Sequence, residues 1–191
     1  MKTTPGRGLT LIELMIASAL LAVLLALAAP DMREAFQRNR LQGAASELVA
    51  GLQLARTEAV RSNRRTVLCR STDGSACDTT NAAWPGWIVF VDLDADNVRD
   101  ANEPVLGAGT FTDVSVMPSA AVTALSQRIV FNGDGTARAT DNRTLLTGTL
   151  AACVATTRPA QNVRDVSLAF GTRTTVRSRD GAGSCGTPND G

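Results

Sequence analysis

The chain changes its hydrophobic rhythm twice. From Leu9 to Ala29 nearly every position is apolar ("LTLIELMIASALLAVLLALAA"), a tract of the roughly 20 residues that a helix needs to cross a bilayer core. From 31 to 63 the pattern turns amphipathic. Leu41, Leu48, Leu52, Ala55 and Ala59 recur on one stripe at helical spacing, while Arg38, Arg56, Glu58 and Arg61 fall mostly outside it. This stripe predicts a helix buried against a sheet. Pro30 sits between the two tracts with helical pattern on both sides, so a kink is expected there rather than an end. A helix from Leu9 to Asn63 would be about 80 Å long at roughly 1.5 Å per residue. A small globular domain has no use for that length.

From Arg64 the rhythm becomes short and β-like. "RTVLCR", "WIVFVDLD", "VSVMP", "RIVFNGDGTARA" and "TLLTGTLAACVAT" read as strands separated by Gly, Asp, Asn and Pro, with "NGDG" as a tight connection between two of them. The last strand shows the clearest alternation. Val166, Leu168, Phe170, Thr172, Thr174 and Val176 share one face, and Asp165, Ser167, Arg173, Thr175, Arg177 and Arg179 the other. No internal repeat is visible. The organisation expected is one long helix followed by an all-β head from 64 to 191.

Composition narrows the chemistry. The 191 residues include no histidine and no tyrosine, and Lys2 is the one lysine beside many arginines. Histidine-dependent nucleophilic catalysis and histidine-ligated zinc are therefore excluded within this chain. A net charge of +1 announces no acidic partner for the chain as a whole. Four cysteines, Cys69, Cys77, Cys153 and Cys185, form no CxxC pair. An even number behind a membrane-targeting tract points to disulfides in an oxidising compartment. Three pairings are open; proximity favours Cys69–Cys77, which leaves Cys153–Cys185.

Glu13 interrupts the first apolar tract, where a charge costs on the order of 3 kcal/mol. Either it meets an opposite charge or it snorkels to the headgroups. The preceding "MKTTPGRG" is basic, short and rich in turn formers. A secretory cleavage after Ala28-Ala29 would place Pro30 directly behind the cut, which such peptidases reject, so the tract is expected to be retained and any processing to fall before it.

"RG" followed by "LTLIEL", a glycine before an apolar run with glutamate at its fifth position, resembles the class III signal of type IV pilins and pseudopilins. The resemblance implies cleavage between Gly8 and Leu9 by prepilin peptidase and N-methylation of Leu9, where family members usually carry phenylalanine. It implies a leader at 1–8, a membrane-spanning part of the helix at 9–30, an amphipathic part at 31–63 and a periplasmic head at 64–191. It also implies a role for Glu13, facing the new ammonium of a Leu9 in the apolar core of a filament, since a paired buried charge costs far less than an unpaired one. "CRSTDGSACDTTNAAWPGWIVFVDLDADNVRDANEPVL" resembles the GspH/FimT branch, with its cysteine loop, W-x-x-G-W and acidic turn. "RPAQNVRDVSLAFGTRTTVRSRDGAGSC" resembles the C-terminal end of FimT and FimU minor pilins.

Three constellations could carry chemistry. Asp92, Asp94, Asp96, Asp100 and Glu103 fall at positions 1, 3, 5, 9 and 12 of an EF-hand-like calcium loop, with Asn97 where glycine is usual. The competing reading is a solvated acidic connection, because a strand precedes the loop, Arg99 adds positive charge and Pro104 follows. Trp84, Pro85, Gly86 and Trp87 could form a sugar platform, but are better read as tryptophans packed under the cysteine loop. Arg158, Arg164, Arg173, Arg177 and Arg179 form a C-terminal cationic set that could hold phosphates of double-stranded DNA without reading sequence. Some FimT proteins bind DNA through a G-R-x-R run; here Gly171 to Arg177 is the nearest match and its spacing departs. The competing readings are charge protection of an edge strand and a contact to a neighbouring pilin.

The expected fold is α+β and type IV pilin-like, a long kinked N-terminal helix packed on an antiparallel β-rich head. The expected function is a minor pilin or pseudopilin that packs with other minor and major pilins near a filament tip and helps start assembly. A DNA-binding adaptor and a subunit of a type II secretion pseudopilus are the alternatives. No catalytic set and no cofactor other than calcium is expected. The expected location is the bacterial inner membrane, single-pass with the head in the periplasm, and then the filament. Mature protein should begin at Leu9 with a methylated amine, and Gly8→Ala should process poorly. Mass spectrometry of the filament fraction checks both; an intact Met1 or a start after Ala29 would contradict them.

Overall fold

The computed structural model describes residues 10–141 and 143–191, with side chains undescribed at 26–31. Gly8 and Leu9, and with them the expected cleavage and methylation, lie outside the described residues. Two compact units are present, Met1–Phe36 and Gln37–Gly191. The helix α1 is assigned over Leu11–Ser62, so the helical assignment continues through Pro30, whose side chain is among those not described.

In the first unit the apolar side chains are bare. Leu11 is 77% exposed, and Ile12, Leu14, Met15, Leu20, Leu24 and Leu25 are exposed as well. Among the described residues no helix is long and apolar enough to cross a membrane. The apolar tract has described side chains only from Thr10 to Leu25, which is shorter than the span expected from 9 to 30.

In the second unit α1 continues as the wall of the main core. Leu41, Leu48, Leu52, Ala55 and Ala59 are all buried, joined by Ala44 and Ala45. The head contains β1 (Arg65–Arg70), β2 (Gly86–Asp92), β3 (Val105–Thr110), β4 (Ser115–Pro118), the short α2 (Ala120–Ala124), β5 (Arg128–Phe131), β6 (Gly148–Cys153), β7 (Val163–Ala169) and β8 (Arg173–Arg179). They form two antiparallel four-stranded sheets, ordered β3-β2-β1-β5 and β4-β6-β7-β8. Both sheets contribute to the core under α1: Leu68, Trp87, Val89, Ile129 and Phe131 from the first, Val116, Leu150, Ala152, Val166 and Leu168 from the second.

The first sheet is also covered on its other face, where Val67, Cys69, Ile88 and Phe90 make a second cluster with Cys77, Val105 and Val130. This explains why "WIVFV" is a continuous apolar run rather than an alternating one: every residue of β2 is buried. The tryptophans are core, but not under the cysteine loop. Trp84 and Trp87 belong to the main core, on the face opposite Cys69. Their indole N–H groups donate to Gln127 Oε1 (2.7 Å) and Glu47 Oε1 (3.2 Å).

Two elements depart from the sequence reading. "VLGAGT" was not anticipated as a strand, because two of its six positions are glycine. The packing requires them: a Cβ on Gly107 would lie 2.9 Å from Leu54 Cδ2, and one on Gly109 would strike Glu47 and lie 2.6 Å from Trp87 Nε1. The single last strand is in fact a hairpin, β7 and β8, with the loop at 170–172. A three-residue loop returns the chain with its even–odd alternation unshifted, so one long strand and two paired strands have the same pattern. Val166 and Val176 are directly paired, as are Asp165 and Arg177. The face assignment therefore holds, but Phe170 leaves the core face. It has φ +50°, it is 72% exposed, and Gly171 beside it has φ +66°, where a Cβ would lie 2.3 Å from Ala137 O. "NGDG" is a tight turn after β5, closed by Gly135 N–H donating to Asn132 O (2.8 Å), and it leads to a single bridge between Phe131 and Ala137 rather than a further strand.

The burial of Leu52 (2% exposed), shared between α1 and the core, gives a direct test of the packing. Leu52→Ala should lower stability by about 2–5 kcal/mol, whereas Val60→Ala on the exposed side should change it by less than about 0.5 kcal/mol. Denaturant titration of the purified protein measures both.

Candidate assembly surfaces and cross-links

The cysteines pair as Cys69–Cys77 and Cys153–Cys185, each with Cα atoms 5.6 Å apart, and no free cysteine remains. Each bond anchors a different irregular segment. Cys69 lies on β1, and Cys77 holds the loop after it against the outer face of the first sheet. An ion pair runs beside this bond: Arg70, only 8% exposed at its side chain, pairs with Asp78 and donates from Nε to Ala83 O (3.0 Å). Asp73 ties the same loop from within, accepting from Ser75 N (2.8 Å), Ala76 N (3.1 Å) and the Ser75 hydroxyl (2.7 Å).

Cys153, at the end of β6, holds the C-terminal segment over the outer face of the second sheet. Buried Asn162 reinforces it, donating to Val154 O (2.9 Å) and accepting from Gly181 N (2.7 Å). Near the end of the segment Asp190 accepts from Ala121 N (2.8 Å) at the start of α2, and its carbonyl accepts from the Thr149 hydroxyl (3.2 Å). The ties of Asp190 had no sequence signal, because they join residues far apart in the chain.

Glu13 makes local contacts in the isolated chain. The Thr10 N–H donates to its Oε2 (3.4 Å), the Thr10 hydroxyl lies 3.5 Å from the same oxygen, and the Glu13 N–H donates to Thr10 Oγ1 (3.3 Å). This is the reciprocal T-x-x-E box that begins a helix. Its signal is present in the sequence as "TLIE".

Of the five calcium-loop carboxylates the structure brings three together. One oxygen each of Asp92, Asp94 and Asp96 lies within 4.8 Å of the others. Asp100 is not in that group. Glu103 is buried and turned to the backbone, its Oε1 accepting from Leu93 N (2.6 Å) and its Oε2 from Asp100 N (2.9 Å). Asp92 is likewise spoken for, accepting from Ala95 N (2.7 Å) and Asn97 N (3.1 Å), and burial raises its pKa. Each oxygen of Asp92 and of Glu103 thus accepts one backbone N–H, which leaves it a further lone pair.

The arginines divide. Arg173, Arg177 and Arg179 share one face of β8. Arg164 lies on the opposite face of β7, where burial and then the charge of Arg38 lower its pKa. Arg158 stands in the loop before β7. Arg179 is already neutralised by a two-pronged pair to Asp165 (2.7 and 3.1 Å), and this hydrogen bonding raises its pKa. Arg173 and Arg177 are exposed, and neither has a carboxylate partner among the described residues. The cationic set expected from the sequence is therefore reduced on this strand from three arginines to two. A phosphate contact made by β8 alone would have a salt slope near 2 rather than 3.

An apolar, exposed N-terminal helix that continues as the wall of a disulfide-closed antiparallel head defines a protein of the type IV pilin class. Residues 44–172 match the family described as Type II transport protein GspH, and residues 6–29 match the prokaryotic N-terminal methylation motif. The chain belongs to the GspH family, whose members are structural pilin-like subunits and not enzymes. It is 34% identical over 116 residues to the pilin-like protein PilA1 of Thermus thermophilus, an alignment covering 59% of this chain and 67% of that one. Its fold is similar to the crystal structure of the type IV minor pilin FimU of Pseudomonas aeruginosa, with a TM-score of 0.52 at 24% identity over 73% of this chain and 90% of the other.

The loop closed by Cys69–Cys77 supplies a pH test. Hydrogen bonds from Thr80, and then the Arg70 guanidinium, lower the Asp78 pKa from 3.8 to about 2. A lowered folded-state pKa stabilises at pH above the unfolded value, and that stability is lost as pH falls through the folded one. Asp78 should thus contribute fully above about pH 4 and progressively less towards pH 2. Asp78→Asn should be less stable than the parent at pH 6, and the gap should narrow by pH 2. Equilibrium unfolding across that range reads the difference.

Proposed function

We propose that the chain is a minor pilin that takes a place at or near the tip of a type IV pilus and helps start its polymerisation. The observation that supports this reading best is the contrast between its two parts. The head buries its own core and closes its loops with two disulfides. The helix before it leaves Leu11, Ile12, Leu14, Met15, Ile16, Leu20, Leu21, Val23, Leu24 and Leu25 exposed, with one carboxylate among them. Apolar surface of that extent needs a bilayer or a bundle of like helices. On this reading the inner membrane stores the subunit with its head in the periplasm, and the filament core receives the helix.

Glu13 then exchanges partners. In the single chain it bonds to Thr10. After cleavage behind Gly8 it faces the ammonium of a Leu9 in the assembled filament, and the charge selects the correct axial register. The fold relative FimU is a type IV minor pilin, which supports the reading as a scarce subunit. The family description, a type II transport protein, supports a second reading as a minor pseudopilin of a secretion system. The two differ in which filament is lost. Removing the chain should cut pilus number with secretion intact on the first reading, and should block secretion with pili intact on the second.

The role of Glu13 has its own test. Glu13→Val should still enter the membrane fraction but should be missing from sheared filaments. Immunodetection in both fractions measures this, and normal incorporation of Glu13→Val would remove charge pairing from the account. Immunogold labelling of intact filaments tests location; label spread evenly along the shaft would rule out a tip subunit.

A further inference from the structure

The outer edge of β8 combines three features that point the same way. First, β8 ends the order β4-β6-β7-β8, so among the described residues nothing pairs with its far side. A free edge of seven residues offers backbone N–H and C=O groups to an incoming strand. Second, Arg173 and Arg177 lie four residues apart on one face, about 13 Å at ~3.3 Å per residue, exposed and without a carboxylate partner among the described residues. Beside Arg177 is a cleft of about 200 Å³, lined by Thr149, Ser167, Thr187 and Asn189 and by the Asp165–Arg179 ion pair. Third, the other face of the edge exposes two apolar side chains beside Ser178: Val176 is 43% exposed, and Phe170 at the hairpin tip is 72% exposed. Phe170 is held there with φ +50°, a costly backbone for a bulky residue. Its N–H donates to Thr147 Oγ1 (3.3 Å), and Arg56 Nη1 donates to Thr172 O (2.8 Å), pinning the tip.

We propose that β8 is a docking edge for an extended segment of a partner protein whose side chains alternate acidic and apolar. The segment adds a fifth strand to the second sheet. Its acids, four residues apart, meet Arg173 and Arg177, and its apolar positions cover Val176 and approach Phe170.

The partner is not a second copy of this chain. Two β8 edges paired with each other would set arginines against arginines, which is destabilising. Of the other sheet edges, β3 (VLGAGT) and β4 (SVMP) carry no charge, and β5 (RIVF) carries another arginine. Among the described residues no sheet edge offers the complementary acids, so the match comes from another protein. The proposal concerns the head surface alone and does not depend on tip location or on which filament the subunit joins.

The test uses the full-length protein in detergent and a labelled peptide, Val-Glu-Val-Thr-Val-Glu-Val, read by fluorescence anisotropy. Binding is expected to weaken with salt, and to fall about tenfold on Arg173→Glu with Arg177→Glu, as expected for losing two charge pairs. The same double variant should gain binding to the peptide with lysine in place of glutamate, which a misfolded protein would not do. A peptide N-methylated at alternate backbone positions should fail to bind, because it cannot extend the ladder. The proposal is overturned if the acidic peptide does not bind, if charge reversal leaves its binding unchanged, or if the N-methylated peptide binds equally well. Duplex DNA run in parallel marks the rival: arginine-dependent binding of DNA with none of the peptide would assign the edge to phosphates instead.

Discussion

The rest of the head depends on the contact between one stripe of α1 and two sheets at once. Ala44, Ala45, Leu48, Leu52, Ala55 and Ala59 present a surface of mixed large and small side chains. Alanine at several of these positions, and Gly51 with Leu68 and Trp87 at van der Waals distance from where its Cβ would be, bring the helix backbone close to the first sheet. Neither sheet could bury its inner face without this helix, since no other long helix is present among the described residues. Burying such side chains stabilises by roughly 1.5–3 kcal/mol each. The exposed apolar tract is thus continuous in sequence with the element that holds the head together.

The periphery is built differently. The outer faces of the two sheets have no helix to cover them. The first is covered by the loop bonded through Cys69–Cys77, the second by the C-terminal segment bonded through Cys153–Cys185. Loops bury little apolar surface, so their ordering entropy is offset by covalent and polar ties instead. The Arg70–Asp78 pair, the turns built on Asp73 and the bonds of Asn162 and Asp190 supply those ties. The β8 edge differs in composition from the other sheet edges: two arginines without a carboxylate partner among the described residues, and an aromatic side chain on a left-handed residue at its hairpin tip. Nothing in the head's own packing requires those groups there.

Much of this was legible in the chain, and the reason differs from element to element. The stripe from Leu41 to Ala59 declares itself because a helix repeats every 3.6 residues whatever it packs against. "RTVLCR" and "WIVFVD" declare themselves by β-branched and apolar runs. β3 hid because its glycines answer to Glu47, Leu54 and Trp87, residues 40 or more positions away or on another element. The β7–β8 turn hid because its loop preserves alternation, and only "FGT" marked it. The acidic spacing brings Asp92, Asp94 and Asp96 together, whereas Glu103 turns to the Leu93 and Asp100 N–H groups, a choice that no spacing records.

The sequence by itself determined the order of parts: an apolar helix with one acid, an amphipathic continuation, and a β-rich head with four cysteines. These follow from local periodicity and composition, which neighbours in space do not alter. Only the tertiary structure decided which charges are free. Arg179 and Arg173 are alike on paper, yet one is neutralised by Asp165 across the hairpin and the other is not. Arg164 is near them in sequence but on the other face of its sheet. Whether a charged side chain is spent inside the fold or left for a partner depends on distances between strands, and a one-dimensional pattern holds no record of those distances.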